Sequence, residues 1–343
     1  MDTLEKEVVQ LAQQHGFSGV VRVDQGGQIR LERAFGLAHR GYGLPNTVHT
    51  RFALASGTKT LTALTVMGLV ADGTLGLSTP ARQFLGQDLP LIDDAVTIEQ
   101  LLAHRSGIGD YLDEDETQDA NAYLMPVPVH RLDSTESYLP VLDGHPAKFP
   151  PGQEFSYCNS GYVVLALLAE RSSGVPFARL VQQRVCQPVG LEHTAFLRSD
   201  ELAGDVAVGY LDAPHTGRSN VFHLPVCGSG DGGIYSTPRD IHVLWTAFIA
   251  GQIVPPAWVQ AMRQPLSVMP SGNAYGLGLW LSPGSDDGEA GISMQGMDAG
   301  VSFDSAHSPV SGTTVTVISN TSDGAWPLRT FLGKFLRAQR LAE

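Results

Sequence analysis

Strand signals gather at the two ends of this chain and give way to helix and loop signals in between. That arrangement limits the possible folds more than any other feature. Ser18–Val23 and Gln28–Ala34 are β-rich runs separated by Asp24-Gln25-Gly26-Gly27. A glycine pair supplies the positive φ of a tight turn, so the spacing predicts a β-hairpin. In the last third, Gly276–Leu281, Ile292–Gln295, Val301–Asp304 and Thr313–Ser319 are short β-type runs punctuated by Gly, Ser and Asp. From residue 75 to 225 the pattern is helices and loops rich in Pro and Gly, with Thr97–His104 and Ser160–Ser172 the clearest helices. Amphipathic helices open and close the chain at Leu4–Gln14 and Pro327–Gln339. Leu4, Val8, Val9, Leu11 and Ala12 supply the apolar face of the first. Another helix is expected from near Ser56 to about Ala71, with Gly73 as its stop. The economical fold class is α+β: an antiparallel sheet built from both termini, flanked by helices, with a mainly helical domain inserted. The expected division is 1–75 with 230–343 for the sheet domain and 76–229 for the insertion. Ligands favour the groove between two such parts.

Composition removes whole classes of function. The 343 residues are 43% apolar and 17% charged, enough to bury a sizeable core. With 22 basic and 35 acidic side chains the formal net charge is −13, and no Lys/Arg stripe occurs, so nucleic acid is not an expected partner. The longest apolar runs, such as Val163–Ala169, are too short to span a bilayer, so no membrane partner is expected either. Acidic residues among Met1–Glu7 argue against a secretory signal, and the expected location is cytoplasmic. Cys158, Cys186 and Cys227 are odd in number and far apart, and read as free thiols. No H-E-x-x-H or tight His/Cys cluster marks a metal site, and no cofactor is expected.

The chemistry starts at Ser56-Gly57-Thr58-Lys59. A separation of three on a helix sets the hydroxyl beside the amine. Serine needs a base to become a nucleophile, and a desolvated neutral lysine can serve as one. A helix N-terminus would favour negative charge at Ser56 and disfavour an ammonium at Lys59. With 25 Ser and four Lys, about 0.3 such pairs arise by chance, so the motif does not stand alone. Apolar surroundings, Phe52-Ala53-Leu54-Ala55 before it and Leu61, Leu64 and Val66 after it, set it apart from a solvated helix start. The second element is Tyr157-Cys158-Asn159, led in by Pro150-Pro151-Gly152. A tyrosinate beside a lysine ammonium can shuttle a proton, and an Asn amide can hold the lysine or a substrate carbonyl. The plain alternative is a packed Tyr with Asn159 as a helix N-cap.

Taken together, these residues make the chain resemble the serine β-lactamase and penicillin-binding family, in its class C-like branch of esterases, D-amino-acid peptidases and transacylases. Leu101-Leu102-Ala103-His104-Arg105-Ser106-Gly107, Gly232-Gly233-Ile234-Tyr235-Ser236-Thr237-Pro238-Arg239-Asp240 and Tyr275-Gly276-Leu277-Gly278 are similar to that branch and follow in its order. The resemblance spans residues 15 to 335. It implies a β-lactamase/transpeptidase-like fold and an acyl-enzyme on Ser56, with Lys59 and Tyr157 handling protons and Asn159 positioning Lys59 and substrate. The family's third element, Lys or His, then a small residue, then Gly, matches Ser293-Met294-Gln295-Gly296-Met297-Asp298-Ala299-Gly300 in its glycines only. Met294 stands where the cation would be, with Gln295 beside it. The resemblance implies an oxyanion hole from the backbone N–H groups of Ser56 and Met297, which the substitution leaves intact. Loss of the cation removes a partner for substrate carboxylates, so penicillins and peptide C-termini become poorer candidates.

The expected activity is therefore a serine hydrolase cleaving a small-molecule ester or amide, carboxylesterase-like or D-peptidase-like. The alternatives are a catalytically impaired ligand-binding homologue and an acyltransferase using the same acyl-enzyme. Gly228-Ser229-Gly230-Asp231-Gly232-Gly233 matches G-x-G-x-x-G but lacks the βαβ context of a nucleotide site, and reads instead as a wall of the cleft. Cys158 reads as a space-filler, His104 as a structural hydrogen-bonder, and Asp113-Glu114-Asp115-Glu116 as a solvated loop.

Overall fold

The computed structural model describes residues 3–114, 119, 121–211, 217–283 and 291–340. The elements that frame the site, in chain order, are α1 (Thr3–Gln14), β1 (Gly19–Gln25), β2 (Gln28–Phe35), α2 (Thr58–Ala71), α3 (Ile98–Leu102), α4 (Asn159–Ser173), α5 (Pro238–Ile249), β3 (Ser267–Val268), β4 (Ala274–Tyr275), β5 (Trp280–Leu281), β6 (Ile292–Asp298), β7 (Val301–Ser308), β8 (Thr313–Ser319) and α6 (Ala325–Arg340). Gly26 and Gly27, at φ +60° and +74°, turn β1 back into β2 as the glycine pair requires. The other edge of β1 pairs with β8, from Gly19 opposite Ser319 to Asp24 opposite Thr314. Among the described residues this gives an eight-stranded antiparallel sheet in the order β2-β1-β8-β7-β6-β5-β4-β3. An N-terminal strand and a C-terminal strand thus lie side by side within one sheet.

Alternation along the central strands divides the apolar residues between two layers. Val21, Val23 and Val317 face α1 and α6, packing with Leu4, Val8, Leu328 and Leu332. Val20, Phe303 and Ile318 face the larger core that contains α2 and α4. Helix α2 is buried at every position from Thr58 to Val70 except Gly68, as befits a helix enclosed on all sides. Its threonines remain satisfied in that setting: Thr60 Oγ1 donates to Gly278 O at 2.9 Å and Thr62 Oγ1 to Gly230 O at 2.6 Å. These two bonds tie the nucleophile's helix to the loops that border the site.

Three boundaries differ from the sequence expectation, each for a local reason. Residues Ala55–Gly57 form a one-turn 3₁₀ helix, and α2 begins only at Thr58. Helix α3 is opened by a capping box between Thr97 and Gln100 and stops at Leu102, because His104 adopts φ +55° and leaves the helical path. Of the expected run Gly276–Leu281 only Trp280–Leu281 is strand (β5); its partner β4 lies just before the run, and a turn at Gly278, at φ +82°, joins the two. No helix among the described residues is long and apolar enough to cross a membrane.

Candidate active site

Strand Phe52–Ala53 pairs with Ile234–Ser236, and Leu54 N donates to Ile234 O at 2.9 Å. The chain then bends sharply, with Ala55 at φ +44°, a conformation that costs a non-glycine residue about 1–2 kcal/mol. That bend delivers Ser56 to the 3₁₀ turn, where it stays partly exposed while Lys59, one turn on, is 2% exposed. Lys59 Nζ lies 3.0 Å from Ser56 Oγ, 2.7 Å from Asn159 Oδ1 and 2.9 Å from Asp231 O. The two oxygens from Asn159 and Asp231 only accept hydrogen bonds. Ser56 is therefore the one neighbour of the three from which Nζ can take a proton. The orientation of the Asn159 amide is fixed from its other end, where Nδ2 donates to Leu112 O at 2.8 Å. Its backbone is fixed as well: Asp110 accepts from Asn159 N and Ser160 N, both at 2.8 Å, at the start of α4.

Tyr157 closes the other side of the nucleophile, its hydroxyl directed at Ser56. Its ring lies 4.9 Å from Lys59 Nζ, stacks on Trp280 at 6.2 Å and rests 4.3 Å from the imidazole of His104. Burial, followed by the nearby carboxylates of Glu114, Asp231 and Asp110, drives the Tyr157 hydroxyl well above its usual pKa, with Ser56 acting the other way. That direction favours the neutral phenol over a tyrosinate at rest. Cys158 is buried and its sulfur accepts from Gly161 N at 3.3 Å, so it occupies the cap of α4 that the plain alternative gave to Asn159. Burial also pushes this thiol's pKa well up, leaving it inert.

On β6 the structure separates the four residues of the third element. A Cβ on Gly296 would lie 2.2 Å from Leu54 O and 2.7 Å from Ser56 N, so only glycine lets the strand approach the nucleophile's backbone this closely. Met297 follows and is 50% exposed; Gln295 is partly exposed; Met294 is 1% exposed and belongs to the main core. Asp298 shares the face of Gly296 by strand alternation and reaches a cleft of about 650 Å³ lined also by Ala55, Tyr111, Asn220, Asp231 and Gly232. Among the described residues no Lys, Arg or His lines this cleft.

Several participants were not singled out in the sequence. Asp231 lies in the glycine-rich loop read as a cleft wall, which it is; its backbone holds Lys59 while its carboxylate accepts from Tyr111. Gly230 explains the loop's composition, since a Cβ there would lie 2.0 Å from Tyr162 O. The acidic run is more than a solvated loop. Asp113 pairs with Lys148 at 2.6 Å and Glu114 comes within 3.4 Å of Asn159 Nδ2, while Asp115 and Glu116 lie outside the described residues. Among the described residues no group of three His, Cys, Asp or Glu side chains could hold a metal ion.

Comparison with known proteins places this geometry in context. The family model described as Beta-lactamase matches residues 4–330. The crystal structure of a penicillin binding protein from Bacillus halodurans superposes with a TM-score of 0.89 at 33% identity, covering 96% of this chain and 99% of that one. Esterase EstB of Burkholderia gladioli is 31% identical over 248 residues, 65% of this chain and 63% of the esterase. A D-aminopeptidase of Gluconobacter oxydans (strain 621H) is 27% identical over 237 residues, 68% of this chain but 42% of that protein.

Proposed function

Because this chain belongs to the Beta-lactamase family, we propose that it is a serine hydrolase that cleaves an ester or amide through an acyl-enzyme on Ser56. The observation that carries the reading is the placement of Lys59 Nζ between two acceptor-only oxygens and the Ser56 hydroxyl. In the first step Ser56 Oγ bonds to the substrate carbonyl carbon and its proton passes to Lys59 Nζ. The carbonyl oxygen becomes an oxyanion held by the backbone N–H groups of Ser56 and Met297, next to which Gly296 brings β6. The Tyr157 phenol donates its proton to the leaving group as the carbonyl–leaving-group bond breaks, and is reprotonated from Lys59. Water then attacks the acyl carbon, gives up a proton to the same pair, and returns Ser56 and the free acid.

The substrate carries no carboxylate near the scissile bond in this reading. Met294 replaces a cation with a buried apolar side chain, and the cleft beside Ala55 presents Asp231 and Asp298. Carboxylates in a low-dielectric cleft repel an anionic substrate and favour a neutral or amine-bearing one. The test is the initial rate on three matched p-nitrophenyl esters whose acyl chain ends in methyl, carboxylate or ammonium. The expected order places the carboxylate ester at least about tenfold lower in kcat/KM than the other two, a difference of about 1.4 kcal/mol. All three activities should vanish in Ser56→Ala. A carboxylate ester turned over as fast as the methyl one would overturn the substrate assignment.

A further inference from the structure

We propose that His104 is a positioning residue for Tyr157, clamping the segment that carries the phenol so that its hydroxyl meets Ser56. The inference rests on the acyl-enzyme reading above and adds to it a residue outside the reacting set. His104 is 1% exposed, and its left-handed backbone at φ +55° turns away from α3. Ser156 N donates to His104 O at 3.0 Å, and Cys158 N donates to His104 Nδ1 at 3.1 Å. These two bonds fall on either side of Tyr157 in the sequence. Between them the imidazole lies against the phenol ring, with centroids 4.3 Å apart and planes 35° from parallel. One residue thus fixes the main chain before and after Tyr157 and packs on its ring as well.

The clamp works only with a neutral imidazole. To accept from Cys158 N, Nδ1 must keep its lone pair, which puts the ring proton on Nε2. Nε2 has no hydrogen-bond partner among the described residues, and the ring is enclosed by Phe155, Tyr162 and Tyr275. Burial moves the His104 pKa well below its usual value and keeps the ring uncharged. Orphaning a ring N–H in the interior is unfavourable. Its retention here fits a group held for the bond that its other nitrogen makes. Histidine is also among the few non-glycine residues that tolerate a left-handed backbone.

The test compares three variants on the neutral p-nitrophenyl ester. In His104→Gly the left-handed backbone is kept without strain and the side chain is lost. In His104→Asn that backbone is equally accessible, and the amide oxygen can replace Nδ1 as acceptor for Cys158 N. His104→Gly should lower kcat at least about tenfold with KM within about twofold, the signature of a misplaced proton-transfer group. His104→Asn should recover to within about threefold of wild type. In a Tyr157→Phe background, His104→Gly should cost nothing further, because its effect acts through the phenol. Should His104→Gly not melt cooperatively, His104→Phe, with a ring but no acceptor, takes its place. The proposal is overturned if the His104 and Tyr157 effects multiply, or if His104→Asn is as slow as the truncation. A wild-type protein with no Ser56-dependent turnover would instead overturn the acyl-enzyme reading on which the clamp depends.

Discussion

Asp298 gives the cleft much of its electrostatic character. Burial and the carboxylates of Asp231 and Glu114 push its pKa up to about 7, against the Ala299 N–H at 2.8 Å. Above that pH the cleft gains a negative charge, and below it the carboxyl is protonated. For the amine-bearing ester, kcat/KM should therefore rise as pH increases through about 7, and more steeply than for the methyl ester. Asp298→Asn should remove the difference between the two profiles. Parallel profiles in the wild-type protein would show that Asp298 does not meet the substrate. For stability the sign is reversed: the folded pKa lies above the ordinary 3.8, so this group's stabilisation is full below 3.8 and is lost as pH rises through about 7. At this scale the sequence spelled out Ser56, Lys59, Tyr157 and Asn159 in order, because their chemistry is tied to residue type and spacing. Asp231, Asp298 and the left-handed turn at His104 were not legible, since each takes its role from neighbours more than forty positions away in the chain.

The long elements follow from local chemistry: the glycine pair writes the β1–β2 hairpin, and Thr97 with Gln100 writes the start of α3. The 3₁₀ turn at Ala55–Gly57 does not, because it is set by the pairing of Phe52–Ala53 with Ile234–Ser236 and by the close approach of β6. Gly296 is where strand and turn meet, and the contact can be tested with a single methyl group. Gly296→Ala sets a Cβ 2.2 Å from Leu54 O and 2.7 Å from Ser56 N, so the turn or the strand must shift. A displacement approaching 1 Å at the nucleophile costs about 10²-fold in rate, and the overpacking should lower stability by about 1–3 kcal/mol. Both are read from steady-state kinetics and the urea midpoint of the purified variant. A Gly296→Ala protein with the wild-type kcat would show that β6 does not set the geometry of Ser56.

Across the whole molecule, the site exists because the sheet is assembled from both ends of the chain. Gly19 is paired with Ser319, and β6, which faces the nucleophile, is two strands away from β8. The sheet built from both termini could be read from the sequence because strand-type runs cluster there. The two-residue strands β3 and β4 could not, since so short a run has no periodicity of its own, whereas β5 is the end of the run Gly276–Leu281. Helix α2 carries Lys59 through the middle of the main core, where Asn159 on α4 and Asp231 on the glycine-rich loop converge on it. The central claim is that this convergence makes Ser56 a nucleophile, and the intact-protein mass after brief exposure to a fluorophosphonate tests it most directly. The account predicts one phosphonyl adduct per chain, formed as Ser56 Oγ displaces fluoride, absent in Ser56→Ala and strongly slowed in Lys59→Ala. An unmodified wild-type protein, or an adduct that persists in Ser56→Ala, would contradict it.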